Sequence, residues 1–485
     1  MDFTQFTQRA EAFLNEIGCE QYQVGAGLKE SLELTPIYQR YADLFARETV
    51  LDRLEDTERK EGRHLASFAA VGFMDNATKE LSEAITNAEL KATVEWDGQD
   101  IPYHNVRPIL TKETNWRRRH ELGRRSPEVM ARQNPLRIQR LNTLHALPRD
   151  LGFPGYIAMN EKLEAWDLKG LADKLDAVVA ATTEVFEREL SRRLAAVGVP
   201  REEADIWDVA YIMRASELDR MFPADRLIAS LEKTLTGMGL GLETTPGLHL
   251  DTEPRPLKSP RAFCVAIRVP AEVMLVIKPI GGQDDYGALF HEAGHAEHFS
   301  HVNPGLPVAF RYMGDAAVSE TYAFLMEHLL YNRRWLTDVL NAPPDLAEEY
   351  RRFSIFSKLW FVRRYAAKLR YELHLHAHGP DGSAPVYQRY LHDNLRVNIP
   401  QERYLDDVDD WFYVGGYNRA WIFEMQLREH LVRNWGEAWY TSREAGDFLK
   451  SLWAIGIRDR VDEMARGLGY AGLDPRPLTE ELLSL

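Results

Sequence analysis

The sequence predicts a mainly α-helical protein that carries one small antiparallel sheet. Three features predict this fold class: long segments with apolar residues at three- and four-residue spacing, one stretch crowded with glycine and proline, and two short β-rich runs directly after it. With 485 residues, the chain is long enough to bury a large core.

The first half of the chain, to about residue 236, is predicted to be a series of helices. Its periodic segments are rich in Ala, Leu, Glu, Arg and Lys, which favour helix, and they cover 35–54, 55–73, 79–92, 168–197 and 223–235. Within this half, Asp97-Gly98 predicts the turn of a small hairpin. The basic run Arg117-Arg118-Arg119 is interpreted as a solvated helix face, with a phosphate or carboxylate site as the alternative.

Residues 237–260 separate this half from the rest, because four glycines and four prolines in this stretch cannot propagate a helix. We therefore divide the chain into an N-terminal helical region, 1–245, and a second region, 246–485. The runs 262–269 and 272–278 are rich in Val, Ile, Phe and Met, which favour an antiparallel pair of strands. This pair is either a structural hairpin or an edge at which an extended peptide pairs through its backbone.

The composition excludes several classes of partner. A net charge of −15 argues against nucleic acid or an anionic membrane surface, and no apolar stretch approaches the ~18 residues of a membrane span. Cys19 and Cys264 are far apart in sequence and form no metal-ligand pair, which suggests a reducing compartment. The first residues lack the basic start and apolar run of a secretory signal, so the expected location is the cytoplasm. The oligomeric state is not predicted.

The motif with the clearest chemistry is His291-Glu292-Ala293-Gly294-His295. Helix positions four apart lie about 40° apart around the axis, so the two imidazoles project from one face and can bind one ion. Glu292 lies beside them, where its carboxylate can take a proton from an attacking water. The motif predicts a metal site with His291 and His295 as ligands and Glu292 as general base. Asp284 or Asp285 is the expected N-cap of its helix.

A catalytic zinc site needs a third protein ligand, and two candidates follow the motif. His301 lies six residues after His295, but on a continuous helix it points about 80° away from His291. Glu320 is the better candidate, because a second helix that starts near Gly314-Asp315 and runs to 330 would carry it in an early turn. The alternative for Glu320 is a solvated surface charge.

Glu327 follows Glu320 by seven residues and therefore lies on the same helix face. At this position it is a candidate hydrogen-bond partner for a metal-binding histidine. Two His and one carboxylate suit a single Zn²⁺ ion.

The sequence HEAGHAEH, followed by SETYAFLMEHLL with its first glutamate 25 residues after His295, resembles the thimet oligopeptidase and oligoendopeptidase F family of zinc peptidases. The resemblance covers mainly residues 261–330, with a weaker similarity at 405–430. It implies His291, His295 and Glu320 as zinc ligands, Glu292 as general base and His298 as a supporting residue of the site. It also implies a two-lobed helical zincin of the gluzincin type, in which region 1–245 forms part of the wall of a deep cleft beside the sheet.

Members of that family use a histidine and tyrosines from a C-terminal segment to assist the reaction, and the corresponding stretch here is 411–417, WFYVGGY. Tyr417 is the predicted donor to the oxyanion, with Tyr413 second, and the alternative for Tyr417 is a packed aromatic beside a glycine turn. Gly415 and Gly416 either admit a close backbone or make room for substrate. No histidine occurs between His392 and His430, so the family's histidine is missing.

These predictions together describe a zinc metallopeptidase that hydrolyses short peptides, with Glu292 as general base. Two alternatives remain open. One is a carboxypeptidase or dipeptidase on the same scaffold. The other is a catalytically degenerate protein that binds zinc and peptide.

Overall fold

The computed structural model describes residues 1–485, which form 22 α-helices, five strands and several short 3₁₀ turns. The strands are β1 Thr93–Trp96, β2 Gln99–Pro102, β3 Leu248–Asp251, β4 Phe263–Arg268 and β5 Glu272–Val276. The helices are α1 Phe3–Gly25, α2 Leu34–Arg40, α3 Arg47–Leu54, α4 Lys60–Lys91, α5 Tyr103–Leu110, α6 Trp116–Arg125, α7 Pro127–Asp150, α8 Tyr156–Glu164, α9 Leu168–Ala181, α10 Thr183–Ala196, α11 Ile206–Arg214, α12 Leu227–Gly237, α13 Gln283–Ser300, α14 Val308–Tyr312, α15 Ala316–His328, α16 Arg333–Leu340, α17 Pro344–His378, α18 Ser383–Leu395, α19 Tyr413–Trp435, α20 Arg443–Trp453, α21 Val461–Gly467 and α22 Arg476–Leu483.

The mainly helical fold class is confirmed, although the helix boundaries differ from the predicted ones. The segments predicted at 55–73 and 79–92 join into the single helix α4, and the segment at 168–197 is broken at Thr182 into α9 and α10. No helix combines the length and the apolar character that a membrane crossing requires.

The predicted antiparallel pair is confirmed as β4 and β5, with Cys264 opposite Leu275. A third strand, β3, pairs with β5 in the parallel direction and gives the sheet order β3-β5-β4. This strand lies within the stretch that we predicted to be only a connection, since four residues are too few to stand out among glycines and prolines. The predicted Asp97-Gly98 hairpin is also present, because β1 and β2 pair antiparallel on either side of that turn.

The chain divides into two compact units, each built from segments that are not contiguous in sequence. The first unit comprises Met1–Phe73, Ser216–Ser354 and Arg419–Leu478, and it contains the three-stranded sheet with α13 and α15. The second unit comprises Met74–Ala215, Ile355–Asn418 and Thr479–Leu485, and it contains the β1-β2 hairpin. The division predicted at residue 245 follows the order of the chain, whereas these units are interleaved along it. That division stays a prediction about sequence regions.

Two buried ionic clusters stabilise the second unit. In one, the fully buried Arg119 donates to Asp208 from Nε at 2.9 Å and from a terminal nitrogen at 2.6 Å. The interpretation of Arg117-Arg118-Arg119 as a solvated face is therefore wrong for Arg119, because a helix inside a folded unit turns one of three successive residues toward the interior.

The other cluster surrounds Asp407, which is 6% exposed. Arg364 and the Tyr387 hydroxyl donate to its carboxylate, the latter at 2.8 Å, and the Lys368 ammonium lies 3.7 Å away. We call Asp407, Arg364, Lys368 and Tyr387 the Asp407 cluster.

Candidate metal centre

The HEAGH motif lies in the middle of α13, which packs against β4 and β5 on one side and against α15 on another. Gly294 makes the contact with α15 possible, because a Cβ atom at this position would lie 2.4 Å from the Tyr322 carbonyl oxygen. The glycine of the motif therefore permits the two helices to approach closely enough for their side chains to share one site.

The N-terminus of α13 differs from the prediction. Its N-cap is Gly282, and Asp284 and Asp285 lie in the first turn. The Asp285 carboxylate accepts hydrogen bonds from the backbone N–H groups of Ile280 and Gly281 at 2.6 and 2.8 Å. Thus Asp285 fixes the loop that enters the helix instead of capping the helix itself.

The second helix begins where the sequence predicts. Asp315 is the N-cap of α15 and accepts a hydrogen bond from the Ala317 N–H at 3.1 Å. Asp315 is buried and also pairs with Arg419 at 2.7 Å and accepts from the Val461 N–H at 3.2 Å. These contacts fix the start of the helix, and Glu320 follows in its second turn.

The structure brings the three predicted ligands together. The Nε2 atoms of His291 and His295 lie 3.4 and 3.8 Å from Oε2 of Glu320, and the three ligand atoms all lie within 4.8 Å of one another. Glu320 is only 6% exposed, so the alternative of a solvated surface charge is excluded. We call His291, His295 and Glu320 the ligand cluster.

The other nitrogen of each histidine contacts a different side chain. Nδ1 of His291 lies 3.0 Å from Oε2 of Glu327, and Nδ1 of His295 lies 2.7 Å from the Ser319 hydroxyl. Each Nδ1 therefore has a polar partner, and these contacts hold the Nε2 atom of each ring toward Glu320. This is the ring orientation that a bound ion requires, so the donor set fits Zn²⁺.

The predicted supporting residues have different surroundings. Glu327 contacts His291 as predicted and accepts a second hydrogen bond from the Tyr331 hydroxyl at 2.7 Å. His298 is fully buried, and its ring packs against Phe299 and Tyr322, with centroids 4.9 Å from each. Its predicted role in the site stays a prediction.

His301 ends up outside the cluster. It is the C-cap residue of α13, and its Nδ1 lies 2.8 Å from the Glu297 carbonyl oxygen. Because α13 continues to Ser300, the chain does not reverse in time to bring this imidazole back to the other two.

Glu292 lies beside the ligand cluster and is held by the sheet. Its Oε2 accepts a hydrogen bond from the Cys264 backbone N–H at 2.9 Å. Burial raises the pKa of Glu292 to about 7, against the opposing effects of His291 and this N–H.

The charges around the two histidines differ. Burial lowers the pKa of His295 to about 4. Burial also acts to lower the pKa of His291, but hydrogen bonds with Glu320 and Glu327 outweigh it and raise that pKa to about 10. Two carboxylates thus converge on one imidazole, and the pocket has an excess of negative charge that favours a cation.

The predicted C-terminal residues lie in the second unit, at the start of α19, whereas the ligand cluster lies in the first. The Tyr417 ring packs against Tyr413 and Tyr365, with centroid distances of 4.9 and 5.8 Å. Cβ atoms added at Gly415 and Gly416 would lie 3.5 and 3.8 Å from the Trp166 ring. The roles predicted for Tyr417, Tyr413, Gly415 and Gly416 stay predictions.

Sequence reasoning missed two groups that contact the site. Ser319 directly precedes Glu320, but nothing in its spacing distinguishes it from other serines. The Cys264 N–H belongs to a strand that we predicted beside the site, so the possibility of an edge strand was the only signal for it.

No protein-family model and no curated protein sequence matches the chain. Two solved structures match its fold over nearly the whole length. One is described as an oligoendopeptidase F from Bacillus anthracis str. Ames, with a TM-score of 0.64, 14% identity, and coverage of 98% of this chain and 89% of that chain. The other is PZ peptidase A with an inhibitor, with a TM-score of 0.67, 12% identity, and coverage of 99% and 91%. The chain therefore has an oligoendopeptidase-type fold, and the resemblance predicted from HEAGHAEH and SETYAFLMEHLL is confirmed at the level of the fold.

Proposed function

We propose that the protein is a zinc-dependent peptidase that hydrolyses short peptides. The single observation that carries this proposal is the ligand cluster, in which two imidazole nitrogens and one carboxylate converge within 4.8 Å beside Glu292. The similar solved structures are named as peptidases, which supports a peptide as the substrate.

His291, His295 and Glu320 would hold one Zn²⁺ ion and leave further coordination positions for water and substrate. When bound, the ion would lower the pKa of a coordinated water to about 7 and would polarise the substrate carbonyl. Glu327 and Ser319 orient the two imidazoles by accepting their Nδ1 protons.

Glu292 is the proposed general base. Its carboxylate takes the proton of the attacking water and passes it to the nitrogen of the departing amine. The hydrogen bond from the Cys264 N–H holds one carboxylate oxygen, so the other oxygen is the one that accepts the proton. The position of Glu292 within the motif, next to His291, supports this role.

Tyr417 is the proposed donor to the oxyanion, and Tyr413 is the second choice. The substitution Tyr417→Phe should then lower kcat by about 100- to 1,000-fold, as the loss of an oxyanion donor does in other enzymes. The variant Tyr413→Phe tests the second choice, because a larger loss of kcat in this variant would assign the role to Tyr413. An equal small effect of both substitutions would indicate packed aromatics instead.

We also propose a cytoplasmic location. Cys19 and Cys264 are free thiols, which suits a reducing compartment. Thiols kept reduced by their surroundings need no disulfide partner, and the fold uses neither cysteine as a crosslink.

The decisive experiment measures metal content and cleavage of a mixed set of short peptides by wild type and Glu292→Gln. The glutamine keeps an oxygen that accepts from the Cys264 N–H but cannot take up a proton. We expect one zinc per chain in both proteins and cleavage by the wild type alone. A Glu292→Gln variant as active as wild type would contradict the proposal.

The same experiment tests the two alternatives. Fragment masses that come only from one end of each peptide would favour a carboxypeptidase or dipeptidase on this scaffold. Zinc in both proteins with cleavage by neither would favour a degenerate binding protein. The absence of a histidine between His392 and His430 is the observation that supports the degenerate alternative.

A further inference from the structure

The turn directly before α19 has a strained backbone. Trp411 and Phe412 follow one another there with φ values of 61° and 51°, in the left-handed region that bulky side chains disfavour. The other residues with a Cβ atom and a positive φ lie where that conformation is ordinary, in the β1-β2 turn at Asp97 or at the C-caps of helices, namely Ala165, Ala215, Asn341 and Arg396. Strain of this kind persists only where the surroundings hold it, and it concentrates at functional sites.

The hydroxyl of Tyr156 holds this turn at its first strained residue. The Trp411 N–H donates to the Tyr156 hydroxyl at 2.7 Å, and Tyr156 is only 2% exposed. The Tyr156 ring stacks on the ring of His376, with centroids 4.3 Å apart. The buried Phe412 ring packs edge-on against the same imidazole, at a centroid distance of 5.1 Å. Packing thus fixes the hydroxyl, and the hydroxyl fixes the backbone at Trp411.

The two residues that precede the turn are anchored as well. Both carboxylate oxygens of Asp410 accept hydrogen bonds from Arg140. The Asp409 N–H donates to the buried Glu372 carboxyl at 2.9 Å. The chain therefore enters the turn from a fixed position, and the conformation of Trp411 decides the direction in which it leaves.

That direction sets the start of α19. Tyr413 is the first residue of the helix, and Tyr417 lies about one turn later, with the two ring centroids 4.9 Å apart. One turn of helix is a rigid unit, so a return of Trp411 to a negative φ would move both tyrosines together. These are the two residues proposed above as donors to the oxyanion.

We propose that the Tyr156 hydroxyl positions the start of α19 for the peptidase reaction, by holding the left-handed turn at Trp411 and Phe412. The residues that it positions are Tyr413 and Tyr417. Because Tyr156 is almost fully buried, it acts through these residues and not by contact with substrate. This inference rests on the proposed peptidase function and on the role proposed there for one of the two tyrosines.

The substitution Tyr156→Phe tests the proposal, because it removes the hydroxyl and keeps the ring that stacks on His376. We expect kcat to fall by about 10- to 100-fold, since a displacement of about 1 Å at a reacting group costs about 100-fold. KM and zinc content should match those of the wild type, because an oxyanion donor acts in the transition state and holds no metal. Steady-state cleavage of one short peptide and elemental analysis measure these quantities.

The variant Tyr371→Phe is the matched control. Tyr371 is a fully buried tyrosine of the same unit, and its hydroxyl donates to the Tyr404 carbonyl at 2.7 Å. Its loss removes a comparable hydrogen bond without touching the turn, so kcat should stay at the wild-type value. Denaturant unfolding compares the stability of the two variants. Equal losses of kcat in both would indicate a general effect of weakened packing and overturn the proposal.

A double-mutant cycle separates positioning from a role of Tyr156 in its own right. Once Tyr417→Phe has removed the donor, the further change Tyr156→Phe should lower kcat by no more than about twofold, because the two residues act as one unit. If Tyr413 is the donor, the same behaviour should appear in the Tyr413→Phe background. Losses of kcat that multiply fully in both backgrounds would contradict positioning.

The failure of this inference is distinguishable from the failure of the proposed function. A Tyr156→Phe protein with the kcat of the wild type would overturn the positioning role and leave the peptidase function intact. A wild-type protein with zinc bound that cleaves no peptide would overturn the proposed function, and the inference with it.

Discussion

The ligand cluster of the first unit and the Asp407 cluster of the second are both buried groups of ionisable side chains, but their charges are balanced differently. Asp407 accepts hydrogen bonds from Arg364 and Tyr387 and lies near Lys368, so its charge is compensated inside the protein. Glu320 instead faces two imidazoles, with Glu292 and Glu327 close by.

This difference separates a group that stabilises the fold from a group that binds. A buried carboxylate that already has cationic partners gains nothing from an added ion. In the ligand cluster two carboxylates, Glu320 and Glu327, share the single imidazole of His291, so negative charge is left in excess and a cation is favoured. This is why the ligand cluster is the candidate metal centre. The following predictions test whether substitutions in the Asp407 cluster change stability and whether substitutions at the ligand cluster change zinc affinity.

The largest expected effect is on stability, from Asp407→Asn. This substitution leaves the buried Arg364 without its carboxylate, whereas Lys368 keeps Asp409 at 2.7 Å. Breaking a buried ion pair costs about 3–5 kcal/mol of unfolding free energy. Zinc affinity should not change. Denaturant unfolding and zinc titration check both statements, with the exposed Asp393→Asn on the same unit as control. A large loss of zinc affinity in Asp407→Asn would contradict the separation.

The next effect is on metal affinity, from Glu327→Gln. The glutamine weakens the hydrogen bond to Nδ1 of His291 and removes a negative charge from the pocket. Loss of a residue that orients a metal ligand typically weakens metal binding by about 10- to 100-fold, and we expect the Kd for zinc to rise by close to 100-fold here. Competition with a chromophoric chelator measures the Kd. The exposed Glu349→Gln is the control and should bind zinc like the wild type.

A smaller loss of affinity is expected from Ser319→Ala. The hydroxyl accepts from Nδ1 of His295 at 2.7 Å, and its removal leaves this imidazole free to rotate, so the Kd for zinc should rise about tenfold. The variant Ser354→Ala is a matched control, since this buried serine of the same unit donates to the Tyr350 carbonyl of its own helix and lies outside the cluster. If both serine variants bind zinc equally well, Ser319 has no part in orienting His295.

The smallest effect is the pH dependence of stability that Asp407 contributes. Burial alone would raise its pKa, but Arg364, Lys368 and Arg403 hold the pKa of Asp407 well below its usual range. A carboxyl with a depressed folded-state pKa stabilises the protein above its unfolded pKa, near 4, and this contribution is lost as pH falls toward the folded pKa.

The difference in unfolding free energy between wild type and Asp407→Asn should therefore shrink by at most about 1.4 kcal/mol per pH unit below pH 4. Chemical unfolding of both proteins between pH 6 and 3 measures this difference. A difference that grows as the pH falls would contradict the assigned sign.

Much of the fold was predictable because local patterns determine it. Residue spacing predicted the helical body, and Asp97-Gly98 predicted the hairpin. Other parts of the fold depend on tertiary packing, which the residue pattern does not show. Strand β3 is stabilised by its pairing with β5 and by burial of residues such as Leu248, neither of which a four-residue segment reveals. The interleaving of the two units is likewise a property of contacts between distant segments.

The candidate site was predictable where its residues share a helix. His291, Glu292 and His295 follow from one turn of α13, and Glu320 and Glu327 follow from the spacing on α15. Ser319 and the Cys264 N–H were missed, because their contacts depend on how α15 and β4 pack against α13. Asp285 was assigned to the wrong role for a similar reason, since the loop at Ile280 and Gly281 competes for its carboxylate.

The most direct test of the central claim is zinc binding by wild type and Glu320→Gln, measured by elemental analysis and by competitive titration of the metal-free proteins. The account predicts one tightly bound zinc per chain in the wild type and a Kd raised by more than about 100-fold in Glu320→Gln, because removal of a ligand should cost more than removal of a partner that orients one. Unfolding in the absence of metal should show that the variant is folded. A wild-type protein that binds no zinc, or a Glu320→Gln variant that binds it equally well, would contradict the account.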